Sequence, residues 1–281
     1  MKTKDKIRIA AIAQSMLMTL RRCLWLGKIA KVNRNGFSWE LDLSEGIDFS
    51  LWVTGVFERT TMKAYSAWIR DGAVVLDVGA NIGAHTLPLA RLAGASGKVF
   101  AFEPTIFAYE KLNKNISLNP QLAKRITCIQ AMLTDSTGLN EAPTRLYSSW
   151  PLTQESGLHR LHGGKLMEIG TARVTTLDQL LDELEVGKVD FIKVDIDGYE
   201  SRIFQGAENT LKRWKPIILM ELAPYVLKEA STSAEELIKI VENYGYSFYL
   251  LDGKTPLFSG SKTIDERVPI GASINVLAIP K

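Results

Sequence analysis

Cysteine is nearly absent from this chain of 281 residues, which holds only Cys23 and Cys128. Neither has a metal-ligand neighbour in sequence, so no disulfide framework or zinc site is expected, and a reducing cytosol fits best. Histidine is almost as scarce, with three residues. Long hydrophobic runs are missing as well. The nearest candidate, residues 9–20, contains Gln14 and Ser15, and it falls short of the ~20 apolar residues that cross a bilayer. Arg21 and Arg22 follow it, where a signal peptide would carry small residues for cleavage. No internal repeat or low-complexity tract occurs, which removes solenoids and linker-like chains.

Acidic residues are missing from one stretch only. Residues 1–34 hold nine basic residues (Lys2, Lys4, Lys6, Arg8, Arg21, Arg22, Lys28, Lys31, Arg34) against Asp5, a net +8. The other 25 basic and 30 acidic residues leave the remainder at −5. An acidic remainder argues against nucleic acid as partner, since a phosphate backbone is met by a basic stripe near the site. The basic segment is expected to form a helix that covers the domain's edge with a solvated basic face. Peripheral contact of residues 1–34 with the anionic inner face of a membrane ranks second.

What is present suits one large α/β domain with an N-terminal elaboration, given 46% hydrophobic residues at this length. Residues 1–54 read as a helix and a small hairpin around Asn35-Gly36, a dipeptide that suits a type I′ turn. Residues 55–281 read as the main domain. A helix is expected over 57–69, then strands at 74–78, 98–102, 126–133, 189–196, 217–222, 247–251 and 275–279. Helices at 86–93, 106–118, 176–184, 199–214 and 234–244 lie between them. Such alternation predicts a doubly wound, mainly parallel sheet with ligands outside the carboxyl ends of its strands. Residues 136–173 break the rhythm, and a connection that long reads as an acceptor-side lid or a mobile surface loop.

The sharpest motif runs from Val74 to Gly83, an unalternating apolar strand ending in a glycine turn. Gly79 and Gly83 let the backbone bend and approach a ligand where a helix begins. Asp77, inside the apolar run, needs a partner in the turn or on the ligand's amino group. A dinucleotide site wants a third glycine where Asn81 stands, so the turn favours S-adenosylmethionine over a pyrophosphate. Glu103, ending the next strand, is placed to accept both ribose hydroxyls.

A second motif spans residues 189–200. Phe191, Lys193 and Asp195 share one strand face, and a lysine inside a buried strand needs a partner, for which Glu221 is expected. Asp195 is the candidate carboxylate at the transferred methyl group, orienting an acceptor hydroxyl and taking its proton. Asp197 with Asp195 could hold a divalent cation, although acids in such turns commonly bond their own backbone and Glu200 suits a helix start. His85 is expected to pack beneath the turn. His159 and His162 lie in the 136–173 segment, with spacing too weak to imply a metal.

These stretches together resemble the FkbM family of S-adenosylmethionine-dependent methyltransferases. The matching residues are 75–86, Phe100 to Pro104, Thr176 to Asp178, Phe191 to Glu200 and Pro216 to Glu221. The resemblance implies a class I, Rossmann-like methyltransferase sheet of seven strands with the last antiparallel. It implies O-methylation of hydroxyls on sugars or polyketide-like products, with a carbohydrate or glycolipid acceptor preferred here. Glu103 would bind ribose, the Gly79–Gly83 turn the methionine end, and the region from Gln130 to Met132 the adenine. Phe57-Glu58 resembles a family element before the first core strand, whereas Asp197 departs from the family's frequent glutamate. Competing readings are a metal-assisted small-molecule methyltransferase and a non-catalytic accessory protein that binds the cofactor.

Overall fold

The computed structural model describes residues 3–138, 142–153, 155–258 and 263–281. Lys2 of the basic segment, and residues 139–141 and 154 of the 136–173 segment, lie outside the described residues. A helix, Thr3–Cys23, leads into β1 (Ile29–Arg34) and β2 (Phe37–Asp42), which pair antiparallel. Asn35 and Gly36 both take positive φ, 52° and 75°, as a type I′ turn requires. Alternation in β2 buries Phe37, Trp39 and Leu41. Helices Gly46–Thr54 and Arg59–Ser66 then lead to the core, the second shorter than the span expected from sequence.

The N-terminal helix departs from expectation. Its inner side rests on the domain through Ala10, Ala11, Leu17 and Met18, with Gln14 buried among them. From Ile12 onward, where a solvated basic face is expected, the outer side carries Ile12, Met16 and Leu20, which recur every four residues and stand exposed. Among the described residues, no helix is long and apolar enough to cross a membrane.

Among the described residues eleven further strands follow: β3 (Val74–Val78), β4 (Lys98–Phe102), β5 (Ile126–Ile129), β6 (Ala131–Leu133), β7 (Arg145–Ser149), β8 (Lys165–Glu168), β9 (Arg173–Thr175), β10 (Phe191–Val194), β11 (Ile217–Leu222), β12 (Tyr246–Leu250) and β13 (Ile274–Pro280). Seven of them form one sheet in the order β12-β13-β11-β10-β3-β4-β5. Neighbours are parallel except β13, which runs antiparallel to β11 and β12. The order reverses at β3, so a crevice opens at the carboxyl ends of β3 and β10. Side chains of the two sheet faces enter two separate cores. Leu76, Ile192 and Ile218 pack with Phe204 and Leu237 on one face. Val75, Phe191 and Leu219 pack with Trp39, Tyr65 and Leu87 on the other, so the N-terminal hairpin is part of that core.

Two expected elements are interrupted. The strand read over 126–133 divides at Gln130: β5 stays in the main sheet, and β6 leaves it to pair with β9. The helix read over 199–214 divides into Glu200–Gln205 and Glu208–Arg213. Within the 136–173 segment, β7 and β8 form an antiparallel hairpin of their own.

Candidate active site

The turn after β3 is built by close approach. Gly79 and Ala80 both donate their N–H groups to Phe102 O, each at 3.0 Å. A Cβ on Gly79 would lie 1.9 Å from Asp195 O, so the ends of β3 and β10 touch through backbone alone. Gly83, at φ 90°, faces Leu112, where a Cβ would lie 3.1 Å from Cδ1, and its small size serves helix packing. Asn81, itself at φ 48°, ties three parts together. Its N–H donates to Glu103 Oε2 at 2.9 Å, its Oδ1 accepts from Ile82 N at 2.9 Å, and its Nδ2 donates to Ser148 O at 3.0 Å.

Glu103 is thus the hub of a network. Oε1 accepts from Thr105 N at 3.0 Å and from Thr105 Oγ1 at 2.6 Å, and Thr105 Oγ1 also lies 2.8 Å from Ser148 Oγ. Burial pushes its carboxyl up from the ordinary range, against the hydrogen bonds from Thr105 and Asn81. With two donors on Oε1 and one on Oε2, the carboxylate keeps acceptor capacity for one further donor, not for the two expected from sequence. Beside it lies a small, mainly apolar pocket lined by Val78, Gly79, Phe102, Met132, Leu146 and Tyr199 among others. Gln130 is placed differently. Its Nε2 lies 3.4 Å from Pro104 O and 3.5 Å from Ile169 O, bracing the loops instead of lining the cavity.

On the other face of the sheet, Asp77 and Lys193 are paired by register between β3 and β10. Lys193, 2% exposed, donates to Asp195 Oδ2 at 3.2 Å and lies 3.9 Å from Asp77 Oδ1. Asp77 Oδ2 accepts from Thr86 Oγ1 at 2.7 Å, while Oδ1 has no hydrogen bond. The expected partnership of Lys193 with Glu221 is therefore corrected. The register sets Lys193 opposite Leu219, two residues short of Glu221, whose carboxylate instead accepts from Ser273 Oγ. Burial works to lower the Lys193 ammonium, but the charges of Asp195, Asp77 and Glu58 outweigh it and hold it above its ordinary value. Burial and the nearby Asp195 and Glu58 charges hold Glu221 well above the carboxylate range.

Glu58 is a participant that sequence reasoning left without a role. It sits at φ 47° before helix Arg59–Ser66, with Oε2 3.6 Å from His85 Nε2. Burial would raise it, yet His85, the Lys193 charge and Thr61 bring its carboxyl down to about 2. His85 is buried beneath the turn as expected, edge-on to Phe57 and Tyr65, with Tyr65 Oη 3.4 Å from Nδ1. The resemblance includes Phe57-Glu58, but the partners of Glu58, His85 and Lys193, lie far along the chain, so its role shows only in the fold.

After β10, Asp197 takes φ 49° and is held well above the carboxylate range by burial and by Asp195 and Glu200. Glu200 closes this turn, accepting from Gly198 N at 3.1 Å and Ile196 N at 3.4 Å, and burial pushes it up to about 7. Among the described residues no three His, Cys, Asp or Glu side chains are grouped to hold a metal ion. The hairpin β7–β8 meets both sides of the crevice. Ser148 bonds the Asn81–Glu103 network, and His159 Nε2 lies 2.9 Å from Glu229, on helix Pro224–Glu229 after β11. His159 Nδ1 accepts from the N–H groups of Leu161 and His162, which assigns the proton to Nε2. His162 stacks on His159 at 3.9 Å, and Tyr147 and Tyr225 complete the ring cluster.

Residues 77–248 match the Methyltransferase FkbM domain. The hexuronic acid methyltransferase AglP of Haloferax volcanii is 29% identical over 156 residues, covering 55% of this chain and 58% of that protein. The 31-O-demethyl-FK506 methyltransferase FkbM of Streptomyces tacrolimicus is 26% identical over 235 residues, covering 74% of this chain and 84% of that protein. The match thus spans less than two thirds of AglP's own length. A crystal structure of methyltransferase FkbM from Methylobacillus flagellatus KT aligns with a TM-score of 0.43 and 16% identity, over 80% of this chain and 56% of that one. With the family match running from Asp77 in the first core strand to Phe248 in β12, the chain belongs to the FkbM family of S-adenosylmethionine-dependent methyltransferases.

Proposed function

We propose that the chain transfers a methyl group from S-adenosylmethionine to a hydroxyl of a carbohydrate, glycolipid or polyketide-like acceptor. The observation that carries this reading is the joining of two built devices at the sheet's switch point. One is the Asn81–Glu103–Ser148 network beside an apolar cavity, and the other is Asp195 held by the buried ammonium of Lys193. The residues fit the cofactor. Gly79 leaves no side chain at the crevice floor, Glu103 Oε2 can accept one more hydroxyl, and Met132 and Leu146 offer apolar contact for a base. When bound, the cofactor supplies an electrophilic methyl group on a sulfonium.

The protein's part is then alignment. Asp195 would accept the acceptor hydroxyl's hydrogen bond and receive its proton, with Lys193 as the positioning residue that fixes the carboxylate's direction. Asp77, bonded to Thr86, would steady the first turn of the following helix and the cofactor's amino-acid end. The hairpin β7–β8 would close the acceptor side. The names of the two relatives, one a hexuronic acid methyltransferase and one acting at an oxygen position, support the acceptor class. A place at the cytoplasmic side of a membrane belongs to the same reading.

Two measurements test it. Calorimetry should show S-adenosylhomocysteine binding that Glu103→Ala weakens at least about tenfold, the loss of one charge-assisted hydrogen bond. Incubation with radiolabelled methyl donor and fractionated glycolipids should label a product in native protein, not in Asp195→Asn. Folded protein that takes up neither the donor nor its demethylated form overturns the reading. Labelling that persists in Asp195→Asn overturns the role of that carboxylate.

A further inference from the structure

The outer side of the N-terminal helix inverts the usual amphipathic pattern. Ile12, Leu20 and Leu24 are each more than half exposed, and Met16 is 71% exposed, along one row with i, i+4 spacing. The row ends on a formed apolar tip. Arg21 turns back to clamp the segment behind the helix, with Nη2 donating to Gly27 O at 2.8 Å and to Ile29 O at 3.2 Å, and Nε to Gly27 O at 3.0 Å. Leu26 N closes on Arg21 O at 2.8 Å. The clamp holds Leu24, Trp25 and Leu26 outward. Trp25 is 96% exposed and sits at φ 56°, a backbone region that side chains with a Cβ rarely adopt. Among the described residues nothing covers the indole, and exposed apolar rows of this length mark interaction sites.

Charge decides the occupant. The segment that carries the apolar row holds nine basic residues and one acid, whereas the rest of the chain is net −5. Two copies meeting through this face would bring +8 against +8. An anionic surface would attract it and repel the remainder, which fixes the orientation of approach. Tryptophan at the end of an apolar row, with arginines beside it, suits the level of lipid headgroups. We propose that the face formed by Ile12, Met16, Leu20, Leu24 and Trp25 docks on an anionic lipid bilayer, with the Leu24–Trp25–Leu26 tip inserted at the headgroup boundary. The docking is independent of methyl transfer, and it would bring a lipid-linked acceptor to the crevice.

The full chain is to be sedimented with phosphatidylcholine vesicles, alone or with about 30% phosphatidylglycerol, at low and high salt. Anionic vesicles should bind at least about tenfold more tightly than neutral ones, less so as salt rises. Leu20→Gln with Trp25→Ser should weaken binding about tenfold or more, while the thermal midpoint stays within about 2 °C because both side chains are exposed. The proposal is overturned if the native chain fails to sediment with anionic vesicles, if neutral vesicles bind as well, or if the double substitution leaves binding unchanged. A concentration-dependent dimer that the same substitutions dissolve, without vesicle binding, assigns the face to a second copy instead.

Discussion

Gly79 and Lys193 fix the site in different ways, one by absence and one by charge. At Gly79 a methyl group meets Asp195 O at 1.9 Å and must also adopt φ 79°. Gly79→Ala should therefore cost at least ~2 kcal/mol of unfolding free energy, measured in urea, and abolish S-adenosylhomocysteine binding by prying β3 from β10. Lys193 stands between two carboxylates in a region where an unpaired charge is costly. Lys193→Met leaves Asp77 and Asp195 facing each other without a cation, and a loss of ~3–5 kcal/mol is expected. In whatever fraction folds, kcat should fall more than the KM for the donor changes if, as proposed, Lys193 acts through its bond to Asp195, since it does not line the apolar pocket. Equal changes in both parameters would mark Lys193 as structural support alone.

At the level of elements, the strands and helices of the parallel core were legible because their apolar runs and turn residues agree. Strands β3, β4 and β11 have the bounds that the sequence predicts. Breaks were not legible, because their causes lie elsewhere in the chain. The helix after β10 stops at Gly206, where a Cβ would meet Thr134 O at 2.2 Å, and restarts because Asp178 accepts from Asn209 N and Thr210 N. Gln130 likewise marks a bend visible only once β9 is seen pairing with β6. The hairpin β7–β8 carried little periodicity because it is held by side chains such as Ser148, His159 and His162. Of the site, the fold brings the glycine turn, Glu103, Lys193 and Asp195 together around the crevice, but the lysine's partner needed the register. His162 gives the hairpin a pH dependence. Burial, then the charge of His159, lowers its imidazole to about 4, so the folded state keeps it neutral while the unfolded chain protonates near 6.5. Its contribution is complete above pH ~6.5 and is lost as pH falls toward about 4. Denaturant unfolding should show on the order of 2 kcal/mol of acid destabilisation over that window in native protein, and markedly less in His162→Gln. Identical profiles would mean that the hairpin opens before the core unfolds.

For the molecule as a whole, the crevice is where strand pairing at the switch point gives way to small contacts between the residues that follow the strands. Beyond the last rungs of β3, Gly79 and Ala80 bond Phe102 O and Asn81 bonds Glu103 and Ser148 on the β4 side, while the backbone of Asp195 meets Gly79 on the β10 side. A ligand seated there bonds groups from both sides and from the hairpin at once, so its binding energy adds to global stability and not to one loop. S-adenosylhomocysteine at about 100 times its Kd should add ~2.7 kcal/mol, which for a chain of this length raises Tm by roughly 5 °C. Glu103→Ala will lower the starting Tm by itself, because Asn81 N and the Thr105 donors lose their acceptor. The informative quantity is therefore the increment. At the same ligand concentration, the rise should shrink to about half in Glu103→Ala, since a tenfold weaker site forfeits ~1.4 kcal/mol of the linkage. A full increment in that variant would place the ribose-side grip on groups other than Glu103, with the acid left as a brace between the turn and the hairpin.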